Sequence, residues 1–199
     1  MNYMNYSLKN TRVLVLLSLF SAIIILMSYL PYVGYISYGT ISITTLHVPV
    51  IIGGILLGPI NGLILGAVWG LTGLIKAFMT PTLEGLLFMN PLISVVPRMI
   101  VGFTVGLLAV HLPKFIKNNT IRYSIIGLVG SLCNTFLVIY AIAFFGDNAI
   151  LPVEALQAIL GIILGLNGSL EIFLAIAVVP TIVTVLQKVN PGGILHNLR

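Results

Sequence analysis

Residues 11–29 decide the fold of this chain; they read TRVLVLLSLFSAIIILMSY, and the one charged side chain among them is Arg12. A helix needs about 20 apolar residues to cross the hydrocarbon core of a bilayer. This run has no small-residue cleavage site of the kind that ends a signal peptide, and further apolar runs follow it. We therefore expect a first transmembrane helix here rather than a cleaved leader.

The composition of the whole chain points the same way. Of its 199 residues, 59% are hydrophobic and 7% are charged, whereas a soluble domain carries roughly 25% charged residues. This composition excludes a disordered chain and a nucleic-acid-binding domain. A secreted disulfide scaffold is excluded as well, since the single Cys133 allows no intramolecular disulfide. The sequence predicts an all-α integral membrane protein, with residues 1–199 as a single transmembrane domain in the lipid bilayer.

Turn residues divide the apolar sequence into six predicted transmembrane helices. They are expected at 11–29, 43–57, 60–78, 90–112, 123–145 and 166–187. The helix predicted at 43–57 is short for a span, and only Gly58 and Pro59 separate it from the next one. The last apolar region is too long for one helix at about 1.5 Å per residue, so a short re-entrant or interfacial helix is predicted at 153–164.

The basic residues predict the orientation in the membrane. With six spans, seven of the 9 Lys and Arg residues fall on one side: Lys9, Arg12, Lys114, Lys117, Arg122, Lys188 and Arg199. The positive-inside rule then places both termini in the cytoplasm. The opposite side receives three loops rich in Tyr, Gly and Pro, and we expect these extracellular loops to cap an outward-facing pocket.

Polar side chains inside membrane spans are costly, so each is a hypothesis of function. Asn90, Ser94 and Arg98 are spaced by four and are expected to share one helical face, and the same spacing relates Asn167 to Glu171. For Arg98 we predict a charge-assisted bond to an anionic group. The tyrosines of the first outer loop are candidates for a lid. The candidate substrate-binding residues are Tyr35, Tyr38, His47, Asn90, Arg98, Asn134, Asn167 and Glu171.

The same residues have a structural interpretation, in which Arg98 pairs with Glu171 across the bundle and the asparagines hold helices together. Small residues spaced by four also occur, at Ser18 and Ala22 on the first span and at several glycines on the third and fourth. Such faces allow helices to approach closely. We expect the glycines to pack internally, whereas the first-span pair either packs internally or faces a partner subunit.

Enzymatic motifs are missing from the sequence. No lysine follows a glycine, so there is no Walker A motif, and there is no HExxH, no GxSxG and no cysteine pair. We expect no enzymatic activity, no cofactor and no metal site in this chain.

Four segments carry a resemblance to a known family. They are 43–59 (ITTLHVPVIIGGILLGP), 90–98 (NPLISVVPR), 133–135 (CNT) and 167–171 (NGSLE). In these segments, and over nearly its whole length, the chain resembles the substrate-binding S components of energy-coupling-factor (ECF) vitamin transporters, most closely those of the pantothenate-specific branch.

The resemblance implies a concrete function. S components have six spans with both termini inside, lie in the prokaryotic plasma membrane, and bind one vitamin in an outward pocket built from spans 4 to 6. They dock onto a membrane T component with two ATPase subunits, which supply the ATP hydrolysis for uptake. The small-residue pair of their first helix contacts the T component, and the matching residues here are Ser18 and Ala22, so serine replaces one alanine of the family motif.

The polar residues favour pantothenate among the vitamins. Flat-ring vitamins favour stacking aromatics, whereas three asparagines and an arginine suit an aliphatic molecule with hydroxyls, an amide and a carboxylate. The alternatives are an S component for another vitamin, folate or riboflavin, a secondary transporter that works alone, and a structural membrane subunit.

Overall fold

The computed structural model describes residues 11–30, 32–38, 41–80, 85–146, 161, 165 and 168–189. The described chain is a bundle of helices with one two-stranded hairpin. The helices are α1 (Thr11–Tyr29), α2 (His47–Leu57), α3 (Pro59–Met79), α4 (Gly85–Phe88), α5 (Pro91–Ser94), α6 (Val96–His111), α7 (Asn119–Phe145) and α8 (Gly168–Val189), and the strands are β1 (Tyr35–Tyr38) and β2 (Ile41–Thr44).

Within the described ranges, 5 helical segments are long and apolar enough to cross a membrane. They are α1, α3, α7, α8 and the run Pro91–Lys114, which contains α5 and α6. The predicted second span is instead α2, a helix of 11 residues, about 16 Å long at 1.5 Å per residue. That is well short of a hydrocarbon core of about 30 Å. The protein is therefore a multi-pass integral membrane protein with a short apolar helix among its long ones.

Helix α2 lies in the middle of the bundle. All of its residues except Val48 are buried, and it contacts α1, α3, α6, α7 and α8. A helix enclosed by protein on all sides can be short, because its ends need not reach the membrane surface to find hydrogen-bond partners. The central position also explains why the sequence of α2 is apolar all round apart from its first residue, His47.

A β-hairpin occupies the region where the sequence predicted a loop and the start of the second span. Tyr35 pairs with Thr44 and Tyr38 with Ile41 in antiparallel register, and the Thr45 backbone N–H donates to Gly34 O at 3.0 Å. The β-branched and aromatic residues of both strands favour this conformation. The segments long and apolar enough to cross a membrane are helical as predicted, but part of the expected loop and the first residues of the predicted second span form a hairpin instead. We call the end of the bundle that carries it the hairpin end.

The predicted fourth span, 90–112, is divided in two. Pro97 has no N–H and cannot donate to the carbonyl of Ile93, one helical turn before it, and the chain makes a turn at Val95 between α5 and α6. Asn90 precedes α5 in an extended conformation, with φ −84 and ψ 120. The expectation that Asn90, Ser94 and Arg98 share one helical face is therefore wrong for Asn90, which precedes the helix.

Glycines allow α3 and α6 to pack closely. A Cβ added to Gly102 would lie 2.6 Å from the carbonyl carbon of Gly62, and one added to Gly66 would lie 2.6 Å from that of Arg98. Real Cβ atoms do not approach backbone this closely, so these positions require glycine. The predicted internal packing role of the glycines on these two helices is confirmed.

The remaining boundaries lie near the predicted ones. Helix α7 begins at Asn119, just after a basic linker, and α8 covers Gly168–Val189. We call the end of the bundle that carries the linker 114–118 the linker end. The predicted re-entrant helix at 153–164 lies outside the described residues, apart from residue 161.

Candidate functional site

A buried polar network joins β2, α2, α7 and α8 towards the hairpin end. The main-chain oxygen of Glu171 accepts a hydrogen bond from Ser131 Oγ at 3.3 Å and lies 3.1 Å from His47 Nε2. The side-chain Oε1 of Glu171 accepts from the Thr44 backbone N–H at 3.3 Å. His47 and Ser131 are fully buried, and Glu171 is 6% exposed. Two residues predicted on different spans, His47 and Glu171, thus meet directly.

The His47 ring is held between two carbonyl oxygens. Its Nδ1 lies 3.0 Å from Thr44 O, while Nε2 faces Glu171 O. A neutral imidazole carries one N–H and donates to only one of them. Both ring nitrogens therefore face backbone carbonyls, one of β2 and one of α8, and one of them donates; this geometry favours a role for His47 in joining these elements over direct contact with a ligand.

Asn134 lies on the same face of α7 as Ser131, three residues further along the helix. Its side chain is 5% exposed, and within the described part of the chain its Oδ1 has no hydrogen-bond partner. Leaving a buried polar atom unpaired costs about 1–3 kcal/mol. Asn134 thus presents a buried acceptor beside the Glu171 network, where a ligand that carries a hydroxyl or an amide N–H would satisfy it.

Arg98 lies in a second group of residues, with aromatic neighbours. Its Nη1 donates to the Ile93 carbonyl at 2.6 Å, which is the carbonyl that Pro97 leaves without a backbone donor. The guanidinium lies 4.7 Å from the ring centroid of Phe88 and 5.4 Å from that of Trp69. The arginine therefore stabilises the break between α5 and α6, and cation–π contacts orient its charge.

Asn90 caps a helix and ties it to a neighbour. Its Oδ1 accepts from the Leu92 backbone N–H at 3.0 Å, and its Nδ2 donates to Phe145 O at 3.1 Å, which joins the start of α5 to the end of α7. Because its amide oxygen and its amide nitrogen both bond to the backbone, the Asn90 side chain has a structural role.

Tyr35 is half-buried and packs against the end of α3. The Nζ of Lys76 lies 4.2 Å from the centroid of the Tyr35 ring and donates to Ser28 O at 3.0 Å. Ser28 is in the last turn of α1, whose carbonyls have no partner within that helix. Lys76 therefore joins α1, α3 and the hairpin. Tyr38 is the last residue of β1, and its side chain is outside the described part, as is all of Asn167.

Several members of these groups were not predicted from the sequence. Thr44 acts through its backbone N–H, which every non-proline residue carries, so the sequence held no signal for it. Ser131 lies one helical turn before Asn134, and that spacing was a usable signal. Trp69 and Phe88 are apolar residues among many, and only the packing places them beside Arg98.

The two small residues of α1 face outwards. Ser18 and Ala22 are both exposed, whereas Leu17 and Phe20 on the other side of the same helix pack into the core. The pair is therefore not used for packing among the described helices, unlike the glycines of α3 and α6.

Together these features define a class: a multi-pass helical membrane protein with a buried polar site between helices that come from distant parts of the chain. Comparison with known proteins identifies the family. Residues 12–183 match the family described as "ECF transporter, substrate-specific component", and the chain belongs to this family of transporter components, which are not enzymes.

Two curated relatives can be aligned with about two thirds or more of the chain. The chain is 33% identical over 141 residues to the pantothenate transporter PanT of Leuconostoc mesenteroides, covering 66% of this chain and 68% of that protein. It is also 33% identical over 163 residues to the pantothenic acid transporter PanT of Lactococcus lactis, covering 73% of this chain and 78% of that protein.

Proposed function

We propose that this protein is the pantothenate-binding S component of an ECF transporter in a prokaryotic plasma membrane. It captures the vitamin at the hairpin end and passes it inwards when a T component and two ATPase subunits drive the complex. The names of the two relatives support the choice of vitamin. The observation that carries the site is the buried Oδ1 of Asn134, which lies beside the Glu171 network and has no hydrogen-bond partner in the described ranges of the chain.

Pantothenate has groups that complement these residues. Its hydroxyls and amide N–H are donors for Asn134, and its carboxylate is an acceptor for Arg98, whose guanidinium has five N–H donors. The aliphatic body of the vitamin needs no pair of stacked rings. We place the vitamin between the Glu171 network and Arg98, under the hairpin, and we keep Asn167 and Tyr38 as candidate contacts from the sequence.

The proposed topology has six membrane segments, with α2 as the short second one, and both termini in the cytoplasm. The basic residues Lys114, Lys117 and Lys188 support it, since all three are exposed at the linker end and positive charge is retained on the cytoplasmic side. The hairpin then faces outwards, as capture of an external vitamin requires.

Titration calorimetry of the purified protein with a vitamin panel tests the proposal directly. Pantothenate should bind to the isolated chain, and riboflavin and folate should not. Proteoliposomes that contain this chain alone should take up no pantothenate, whereas addition of a T component and two ATPase subunits should start ATP-dependent uptake. Uptake by the chain alone would identify a secondary transporter, and a panel without any binding vitamin would refute the proposal.

Arg98 can be tested by separating its structural contact from its proposed contact with the vitamin. Arg98→Gln should lower stability by about 1–2 kcal/mol, because the Ile93 carbonyl loses its donor, and should weaken pantothenate binding at least roughly tenfold. Adding Pro97→Ala restores a backbone N–H that can donate to Ile93 O. The double variant should regain stability in thermal unfolding but not affinity in calorimetry. Recovery of both would show that Arg98 is structural only.

The exposed pair on α1 is proposed to contact the T component. Ser18→Leu combined with Ala22→Leu should leave pantothenate binding unchanged but reduce uptake by the reconstituted complex at least roughly tenfold, since bulky side chains keep helices apart. Ala143→Leu is the matched control, because Ala143 is an exposed small residue on α7. Equal loss of uptake in both variants would argue against a specific contact at α1.

A further inference from the structure

A cluster of buried hydrogen-bond donors lies at the linker end, far along α7 from the proposed vitamin site. Arg122 is 4% exposed and Tyr123 is 1% exposed. Arg122 Nη2 donates to Tyr123 Oη at 2.9 Å, and Gln187 Nε2 donates to the same oxygen at 2.6 Å. Two donors from different helices thus share one phenolic acceptor.

The cluster has more donors than acceptors. The Nε of Arg122 is buried and has no partner within the described residues. The one acidic residue in the described part of the chain, Glu171, belongs to the network towards the hairpin end. A buried guanidinium without a counter-charge is strongly unfavourable in a membrane protein, and none of the described residues supplies this cluster with an anion.

The position of Arg122 strengthens this conclusion. It lies at the start of α7, where the helix dipole is positive and disfavours a cation. The Asn118 side chain already accepts from the backbone N–H groups of Thr120 and Ile121, so it does not neutralise the arginine. An anionic oxygen at this point would offset three unfavourable contributions together: the burial of the charge, the N–H without a partner and the repulsion by the helix dipole.

We propose that Arg122, Tyr123 and Gln187 form a binding site for a phosphate group, supplied by an anionic lipid of the inner leaflet. The burial of the guanidinium fits a small oxyanion, and exposed Lys114, Lys117 and Lys188 surround this end of the bundle with positive charge. Basic sites between helices on the cytoplasmic side suit phospholipid headgroups. This site is independent of the vitamin, which binds towards the opposite end.

Thermal unfolding in neutral detergent tests the proposal. Phosphatidylglycerol should raise the melting temperature by about 5 °C at a hundredfold excess over its Kd, and phosphatidylcholine should not. If inorganic phosphate also raises the melting temperature, the phosphate group alone is sufficient for binding. If only phosphatidylglycerol raises it, the lipid is the source of the phosphate group. No rise with either anion would overturn the proposal, and would leave a carboxylate of a partner protein as the missing acceptor.

Gln187→Glu provides a variant that should remain folded. It replaces an amide by a carboxylate of the same size beside Arg122 and Tyr123, so the protein should melt higher without lipid and lose most of its response to phosphatidylglycerol. Lys117→Gln, which removes an exposed charge from the same end, should respond as the wild type does. Native mass spectrometry should show retained phosphatidylglycerol on the wild type and much less on Gln187→Glu. An undiminished response of Gln187→Glu would contradict the assigned site.

Discussion

Gly102→Ala should destabilise the protein by about 3 kcal/mol or more, at the upper end of what overpacking costs. The added Cβ would lie 2.6 Å from the Gly62 carbonyl carbon and closer still to its oxygen. These are backbone atoms of α3 and cannot turn away as a side chain can. Relief would require α3 and α6 to separate, which would also disturb the neighbouring contacts of Gly66 and Gly70 on the same seam.

Thermal unfolding and the monodisperse yield in size-exclusion chromatography measure this effect. Gly161→Ala is the matched control, because a Cβ added there meets no atom of the described residues within 4 Å. It should melt within a degree or two of the wild type. A Gly102→Ala protein as stable as this control would show that α3 and α6 do not pack this closely.

Asn134→Leu should weaken pantothenate binding by roughly 10- to 100-fold while leaving the empty protein as stable as before or more stable. The buried Oδ1 has no hydrogen-bond partner among the described residues, so leucine of similar volume removes such a polar atom from the unliganded protein and with it a cost of about 1–3 kcal/mol. The bound vitamin loses its acceptor, and the free energy of one such hydrogen bond corresponds to this range of affinity. Calorimetry and thermal unfolding of the same samples give both quantities.

Thr135→Val is the control for this experiment. Thr135 is buried next to Asn134, and its hydroxyl donates to Ser131 O at 3.2 Å, so it has a partner without any ligand. This variant should bind pantothenate with little change. Asn134→Leu with unchanged affinity, or with a clear loss of stability, would assign Asn134 to helix packing and would remove the main support for the proposed site.

The sequence predicted the long helices well, because hydropathy is a local property that does not depend on which helices become neighbours. Helix α1 has the predicted bounds, and α3, α7 and α8 lie within a few residues of theirs. The predictions were weakest where a backbone hydrogen bond decides the structure. Pro97 was visible in the sequence, yet the division of the fourth span and the use of Arg98 to satisfy Ile93 O follow from three-dimensional geometry.

The sequence indicated some of the polar residues that the structure brings together, and their role in binding stays a prediction. His47 and Glu171 meet as members of one network, and Asn134 lies a turn from Ser131 within the same region. Asn90 was chosen for its spacing and proves to cap α5. A polar residue in a membrane span requires a hydrogen-bond partner, but the sequence does not indicate whether that partner is the backbone of the chain or a ligand.

The sequence by itself determined that this chain is an integral membrane protein and which of its segments form long apolar helices. It also determined where the basic residues are concentrated and which few polar side chains lie within the membrane-spanning segments. The tertiary structure alone decided that a hairpin replaces a loop, that α2 is a short enclosed helix, and which polar atoms of the described residues remain without a hydrogen-bond partner. The reason is physical: transfer from water to lipid depends on the composition of each segment, whereas hydrogen bonds and close packing depend on how helices distant in sequence rotate against one another.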